Sequence, residues 1–212
     1  MYDAVFIGDL EMVELMLKHR KTRATLPSEW GTPLMLAAKE NRLSVFRRLI
    51  EAGAGVDERS LRGETALMSA AFAGAKEAFF SAYAFGADLK ARDRRGSSVL
   101  HYAAVGPELS RVVNEWRGLA SRQTGTANRI PHFLLTKGFD PNDRDIRGET
   151  PLHYIARNDL PQFIALLVEN GGNPLLTNHI GESACSIAAS KGATSLTLAE
   201  FLRVGVCSGA LN

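Results

Sequence analysis

With 212 residues, 45% of them apolar, the chain is long enough to bury a substantial core. A formal net charge of +2 gives no general electrostatic reason to expect nucleic acid or an anionic membrane as partner, and no apolar run reaches the roughly 18 residues a membrane span needs. Two cysteines are too few for a disulfide framework: Cys185 reads as a small buried hydrophobe and Cys207 as a free thiol, which fits a reducing compartment.

Taken in order, residues 2–18 predict a pair of short helices with Glu11, Glu14 and Lys18 outward, as a terminal capping unit requires. A basic, irregular connection over 19–29 leads to Trp30, which either covers an exposed repeat edge or belongs to a partner site. Two similar units follow, 31–62 and 63–95. In the second of these Phe72, Phe79, Phe80, Tyr83 and Phe85 replace aliphatic residues, and a cluster at helical spacing reads as core. The next unit, 96–147, opens normally but closes late, because extra material lies within 105–130. Pro107 there starts a predicted helix carrying Leu109, Val112, Val113, Trp116 and Leu119, and a polar stretch over 123–129 follows it. The unit over 148–180 predicts a helix from Leu152 to Arg157, a break at Asn158-Asp159 and a second helix from Phe163 to Glu169. A last capping unit over 181–204 precedes a small, polar tail, 205–212.

The units share one register. An opening Thr or Ser stands at Thr32, Thr65, Ser98, Thr150 and Ser183, at spacings of 33, 33, 52 and 33. Two positions later come Leu34, Leu67, Leu100, Leu152 and Cys185, and a closing glycine turn recurs at Gly53, Gly86, Gly138 and Gly171. A fixed period in this range means a stacked array in which each unit contacts only its neighbours, hence one domain over 1–212.

Thr32-Pro33-Leu34, Thr150-Pro151-Leu152-His153, Leu100-His101-Tyr102-Ala103-Ala104 and Gly86-Ala87-Asp88 together resemble the ankyrin-repeat family, over about residues 2 to 204. The resemblance implies an all-α solenoid of helix–turn–helix–hairpin units, here with a helix or loop inserted in the fourth, that binds protein partners. It also implies that His101 and His153, which share one slot, hydrogen-bond between neighbouring units.

No residue is assigned to catalysis, to a cofactor or to a metal. The histidines and cysteines lack metal-ligand spacing, and Gly205-Val206-Cys207-Ser208-Gly209 matches a nucleophile elbow without the helix such an elbow needs. The hairpins offer Arg59, Arg62, Arg92, Arg94, Arg95, Arg144 and Arg147 as a ladder for an acidic partner surface, with neutralisation by nearby Asp and Glu as the plain alternative. The concave slots offer Phe72, Tyr102, Tyr154 and Arg157, residue types enriched in interface hot spots. The expectation is a non-catalytic, monomeric adaptor, inhibitor or immunity-type protein, or effector, that binds a protein of unknown identity. An oligomerising array, or an enzyme built on 105–130, is the alternative. A cytoplasmic location is expected, or a secreted one if an upstream targeting segment exists.

Overall fold

The computed structural model describes residues 1–18, 31–106, 129–192 and 194–207. Among these residues the chain forms six helix pairs and no strand: α1 Tyr2–Ile7 with α2 Leu10–Lys18, α3 Pro33–Lys39 with α4 Leu43–Glu51, and α5 Ala66–Ala73 with α6 Lys76–Ala84. They continue with α7 (99–106) and α8 Arg129–Thr136, α9 Pro151–Asn158 and α10 Ile164–Glu169, and α11 Ala184–Ser190 and α12 Leu196–Arg203. Trp30 and the predicted inserted helix over 107–119 lie outside the described residues, as does the polar stretch after it up to residue 128. Two compact units result, Met1–Arg94 holding α1 to α6 and Arg95–Asn212 holding α7 to α12.

Each first helix starts where the repeated hydroxyl stands. Thr32, Thr65 and Ser183 are extended, and their side-chain oxygens accept the amide three residues on, at 3.3, 3.3 and 3.1 Å. That satisfies a donor which has no partner inside the helix, an N-cap worth about 1 kcal/mol. Pro33 and Pro151 sit at the first helical position, where no amide proton is needed. The repeated Leu34, Leu67, Leu100 and Leu152 are at most 1% exposed, and each contributes about 1.5–3 kcal/mol by leaving water.

A left-handed residue ends most of these first helices: Gly8, Asn41, Gly74, Asp159 and Gly192 all have positive φ. The two that are not glycine use their side chains. Asn41 Oδ1 accepts the Ala78 amide at 3.0 Å, so the end of α3 caps the start of α6 in the next pair. Asp159 does the same for α12, accepting the Ser195 hydroxyl at 2.7 Å and the Thr197 amide at 2.9 Å. Burial pushes the Asp159 carboxyl up, but the Thr197 and Ser195 hydrogen bonds outweigh it and hold it below its ordinary value.

Three sequence expectations change. The second helix of the fifth pair begins with a 3₁₀ turn, Pro161–Phe163, before α10. Tyr83 and Phe85 are 38 and 45% exposed, because α6 turns Ala78, Phe79 and Ala82 inward and leaves Tyr83 on its outer side, while Phe85 stands at the C-cap beyond its last turn. Most consequentially, Cys185 and Cys207 are neither an isolated core hydrophobe nor a free thiol: they form a disulfide, with Cα atoms 5.7 Å apart. The spacing of the last unit explains it. The closing glycine of α12, Gly205, follows Gly171 by 34 residues rather than 33, and the turn it makes places Cys207 beside the buried Leu slot held by Cys185.

Candidate functional site: the hairpin rim

Between successive helix pairs the chain makes a tight turn, at 57–64, 142–149 and 175–182. The turn is closed at its base by backbone bonds from Ser60 to Glu64, Asp145 to Glu149 and Asn178 to Glu182, at 3.0, 3.0 and 2.8 Å. One side chain then fastens each loop. Ser60 Oγ accepts the Arg62 and Glu64 amides, Asp145 Oδ1 those of Arg147 and Glu149, and Asn178 Oδ1 those of Ile180 and Glu182, all within 2.8–3.1 Å. Glycine closes the turn because the backbone there is left-handed and crowded. A Cβ on Gly63 (φ 80°) would lie 2.9 Å from the Arg94 nitrogen, and one on Gly148 (φ 73°) 2.8 Å from the His179 ring.

Neighbouring turns are laddered together. Within the first unit the Arg94 amide donates to the Arg62 carbonyl at 2.9 Å. Within the second, Ile146 donates to Arg95 at 2.8 Å and His179 to Arg147 at 2.9 Å. Two of the predicted ladder arginines serve as staples across this seam. Arg59 Nη1 donates to the Gly63 and Arg92 carbonyls, at 3.2 and 2.6 Å, and Arg144 Nη1 to those of Gly148 and Thr177, at 3.4 and 2.9 Å.

Arg147 and Arg157 are likewise engaged. The Glu149 carboxylate, its side chain 2% exposed, accepts Arg147 Nη2 at 2.8 Å and Arg157 Nε at 2.7 Å. Arg157 Nη2 also reaches Glu182 at 2.7 Å. Asp145, its side chain fully buried, lies 3.7 Å from Arg147 Nε and accepts the Tyr154 hydroxyl at 2.9 Å. Burial pushes the Asp145 carboxyl up, but the Glu149 and Arg147 amides, the Tyr154 hydroxyl and the Arg147 charge hold it below its ordinary value. The Arg157 bond does the same for Glu182. Tyr154 also bonds Ser97 at 2.9 Å and meets the His101 ring edge-on at 5.1 Å, so it is part of this network rather than a free concave ring. Asp145 was among the acids expected to neutralise the ladder and lies against Arg147 as that alternative required, whereas the buried Glu149 was missed in the sequence. Its only signal there was Glu64, Glu149 and Glu182 recurring before the opening Thr or Ser, with Arg157 eight residues on.

Beside the exposed Asp57 and the half-buried Asp93 and Asp143, what these turns present outward is aliphatic and basic. In the first unit Leu61 is 59% exposed beside the exposed Arg62 and Arg94, with Arg92 nearby; in the second, Ile146 and Ile180 are 65 and 74% exposed beside Arg95, Arg147 and His179. Phe72 and Tyr102 are half-buried on α5 and α7. His101 and His153 take the bridging role. The Ser98 and Thr150 amides donate to their Nδ1 atoms at 3.2 and 3.1 Å, which leaves Nε2 to donate to the carbonyls of Glu149 and Glu182, both at 3.1 Å. Burial holds His153 below its ordinary value and so neutral near pH 7. Among the described residues no group of three His, Cys, Asp or Glu is placed to hold a metal ion, and no helix is long and apolar enough to cross a membrane.

The model for ankyrin repeats (three copies) matches residues 1–93, 34–113 and 118–206. The chain is 27% identical over 183 residues to the E3 ubiquitin-protein ligase XBAT32 of Arabidopsis thaliana, covering 78% of this chain and 35% of that protein. It is 27% identical over 194 residues to the human SH3 and multiple ankyrin repeat domains protein 2, covering 84% of this chain and 10% of that protein. It thus spans about a third or less of these curated relatives. Among solved structures, a chain of the Bdellovibrio bacteriovorus complex of the predatory endopeptidase Bd0816 with immunity protein Bd3460 superposes with a TM-score of 0.67. That match is 24% identical, covers 95% of this chain and 96% of that one, and shows the fold. Ankyrin repeats mediate protein–protein interaction. The shared register, the helix pairs with their stapled turns and the matching model agree: this chain is an all-α member of the ankyrin-repeat family.

Proposed function

We propose that this chain is a non-catalytic, monomeric module that grips a partner protein with its hairpin rim and acts as an inhibitor or immunity protein against an endopeptidase. The rim of the second unit carries the reading. Ile146 and Ile180 project into solvent from turns whose backbones are tied by ladder bonds and by the Arg144 staple. Side chains held this way lose little freedom on docking, so the burial of two aliphatic groups is not offset by ordering of the loops. Arg147 and Arg157 are held by buried Glu149, so the edge meets a partner through fixed guanidiniums rather than mobile ones. The inhibitory role is drawn from the likeness to the endopeptidase–immunity protein complex.

The test immobilises the intact chain, an Ile146→Asp/Ile180→Asp variant and an Glu51→Gln control, and passes lysate of the source organism over all three. A protein held by the first and third but at least about tenfold less by the second is the expected partner. It should be an endopeptidase whose hydrolysis of a protein substrate stops at one equivalent of the chain. Identical proteins on all three supports would sink the rim, and a captured partner with unimpaired or no peptidase activity would sink the inhibitory role.

A further inference from the structure

We infer that the Cys185–Cys207 disulfide is a redox-dependent clamp on the last helix pair, closed by thiol–disulfide exchange in an oxidising compartment. The inference stands apart from the rim and does not depend on it.

Cys185 occupies the slot where the other pairs hold Leu34, Leu67, Leu100 and Leu152, and like them it is fully buried. Leu152 lies under the turn that leads onward from its pair, its Cδ1 3.3 Å from where a Cβ on Gly172 would stand. In the last pair the turn after α12 forms in the same way, with the Val206 amide donating to the Phe201 carbonyl at 3.1 Å, as Gly172 donates to Leu167 at 2.7 Å. The residue after that bond is Asn173 in the preceding pair and Cys207 here. Asn173 is exposed, and its amide donates to Asn142 Oδ1 at 2.7 Å. Cys207 is instead fully buried, with its sulfur on Cys185. A cysteine side chain is shorter than leucine's, so two joined sulfurs fill the slot that one leucine fills elsewhere. The covalent bond also ties the turn after α12 to α11, a link made in one step over 22 residues of chain.

Chemically, the reduced pair loses two protons and two electrons. A disulfide-bearing oxidant of the thiol–disulfide exchange class accepts both. The Cys207 thiolate, on the turn after α12 rather than within a helix, attacks one sulfur of the oxidant and breaks its S–S bond. A mixed disulfide forms and the first oxidant thiolate leaves. The Cys185 thiolate then attacks Cys207 Sγ, the internal bond forms, and the second oxidant thiolate leaves, so the oxidant ends as a dithiol. Once the bond is buried, a reductant reaches it only when residues 205–207 lift away. A cytosolic glutathione pool would keep the pair as thiols during synthesis, which ties the closed clamp to an oxidising compartment.

The full chain is refolded with a reduced and oxidised glutathione pair, denatured, and labelled with a maleimide. No label and an intact mass short of two hydrogens are expected. Adding dithiothreitol to the folded protein should lower the melting temperature by roughly 5–10 °C. It should also speed proteolysis between Phe201 and Cys207 by about tenfold or more, while cleavage within α3 to α6 stays unchanged. The Cys185→Leu/Cys207→Ala variant restores the leucine of the other pairs and should ignore reductant in both readouts. Two labelled thiols after refolding, a reductant effect that is absent or spread over α3 to α6, or a double variant as sensitive as the parent would each overturn the inference.

Discussion

The turn at 57–64 in the first unit and the turn at 142–149 in the second share a backbone and differ in chemistry. Ser60 and Asp145 hold the same place and accept the same pair of amides, at 3.1 and 3.1 Å against 2.8 and 2.9 Å. A hydroxyl does this as a neutral group. A carboxylate buried completely must find compensation for its charge, and Asp145 finds it in Tyr154 and Arg147. The next carboxylate repeats the contrast: Glu64 is half-buried, whereas Glu149 is buried and holds two guanidiniums. The charged turn ties Arg147 and Arg157 to a buried carboxylate, although Arg147 is as much on the surface as Arg62, which holds its place in the hydroxyl-fastened turn.

Removing both guanidiniums would break that contrast most severely. Arg147→Ala with Arg157→Ala leaves Asp145 and Glu149 buried without their cations, which costs about 3–5 kcal/mol. Arg62→Ala, at the matching surface position, should stay within about 0.5 kcal/mol. Urea unfolding of the two variants reads both numbers, and a double variant within 1 kcal/mol of the parent, on the scale of an exposed pair, would show that the carboxylates do not need these cations.

Acid sharpens the comparison next. Asn41 and Asp159 hold one register place and cap the following outer helix alike, but only Asp159 titrates. Its folded value lies below the ordinary 3.8, so the unfolded chain takes up a proton first as pH falls. The stabilisation is complete above about pH 4–5 and is lost as pH drops through the folded value. Asp145 adds to the same acid loss. His153 acts earlier: its value is depressed below 6.5, so the unfolded state protonates first and stability declines from about there downward. Asp159→Ala should cost about 1–2 kcal/mol at pH 7. Asp159→Asn, which imitates Asn41, should keep most of that and flatten the stability–pH curve below about pH 4. A curve unchanged by Asp159→Asn would remove this carboxylate from the acid response.

Much of the fold was legible because it depends on residues that repeat. Thr32, Thr65, Thr150 and Ser183 announced helix starts, the leucines two places on announced the buried stripe, and His101 and His153 bridge as the resemblance implied. What could not be read depends on partners without a sequence signature. Arg59 and Arg144 point to backbone carbonyls of the next turn, which any residue could supply. Arg157 answers a carboxylate eight residues before it and another 25 after it. Cys185 and Cys207 looked unrelated because the last spacing runs one residue long and Cys207 follows the final helix, where the period no longer predicts which way a side chain turns. The exposed tips Leu61, Ile146 and Ile180 carry no signature either, because a single aliphatic residue in a polar turn has no periodicity to mark it as buried or presented.

The smallest effect belongs to the staple that both units share. Arg59 and Arg144 each bridge two carbonyls from an exposed position, so the gain over water is modest, about 1 kcal/mol for either. Arg59→Ala and Arg144→Ala should therefore lower stability by similar small amounts, even though the turns around them differ in charge. Equality is the informative outcome, because the acceptors are backbone atoms in both units and do not sense whether Ser60 or Asp145 fastens the loop. If Arg144→Ala costs more than Arg59→Ala by over about 1 kcal/mol, the staple is coupled to the Asp145–Glu149 network, and the two turns differ throughout rather than at one side chain.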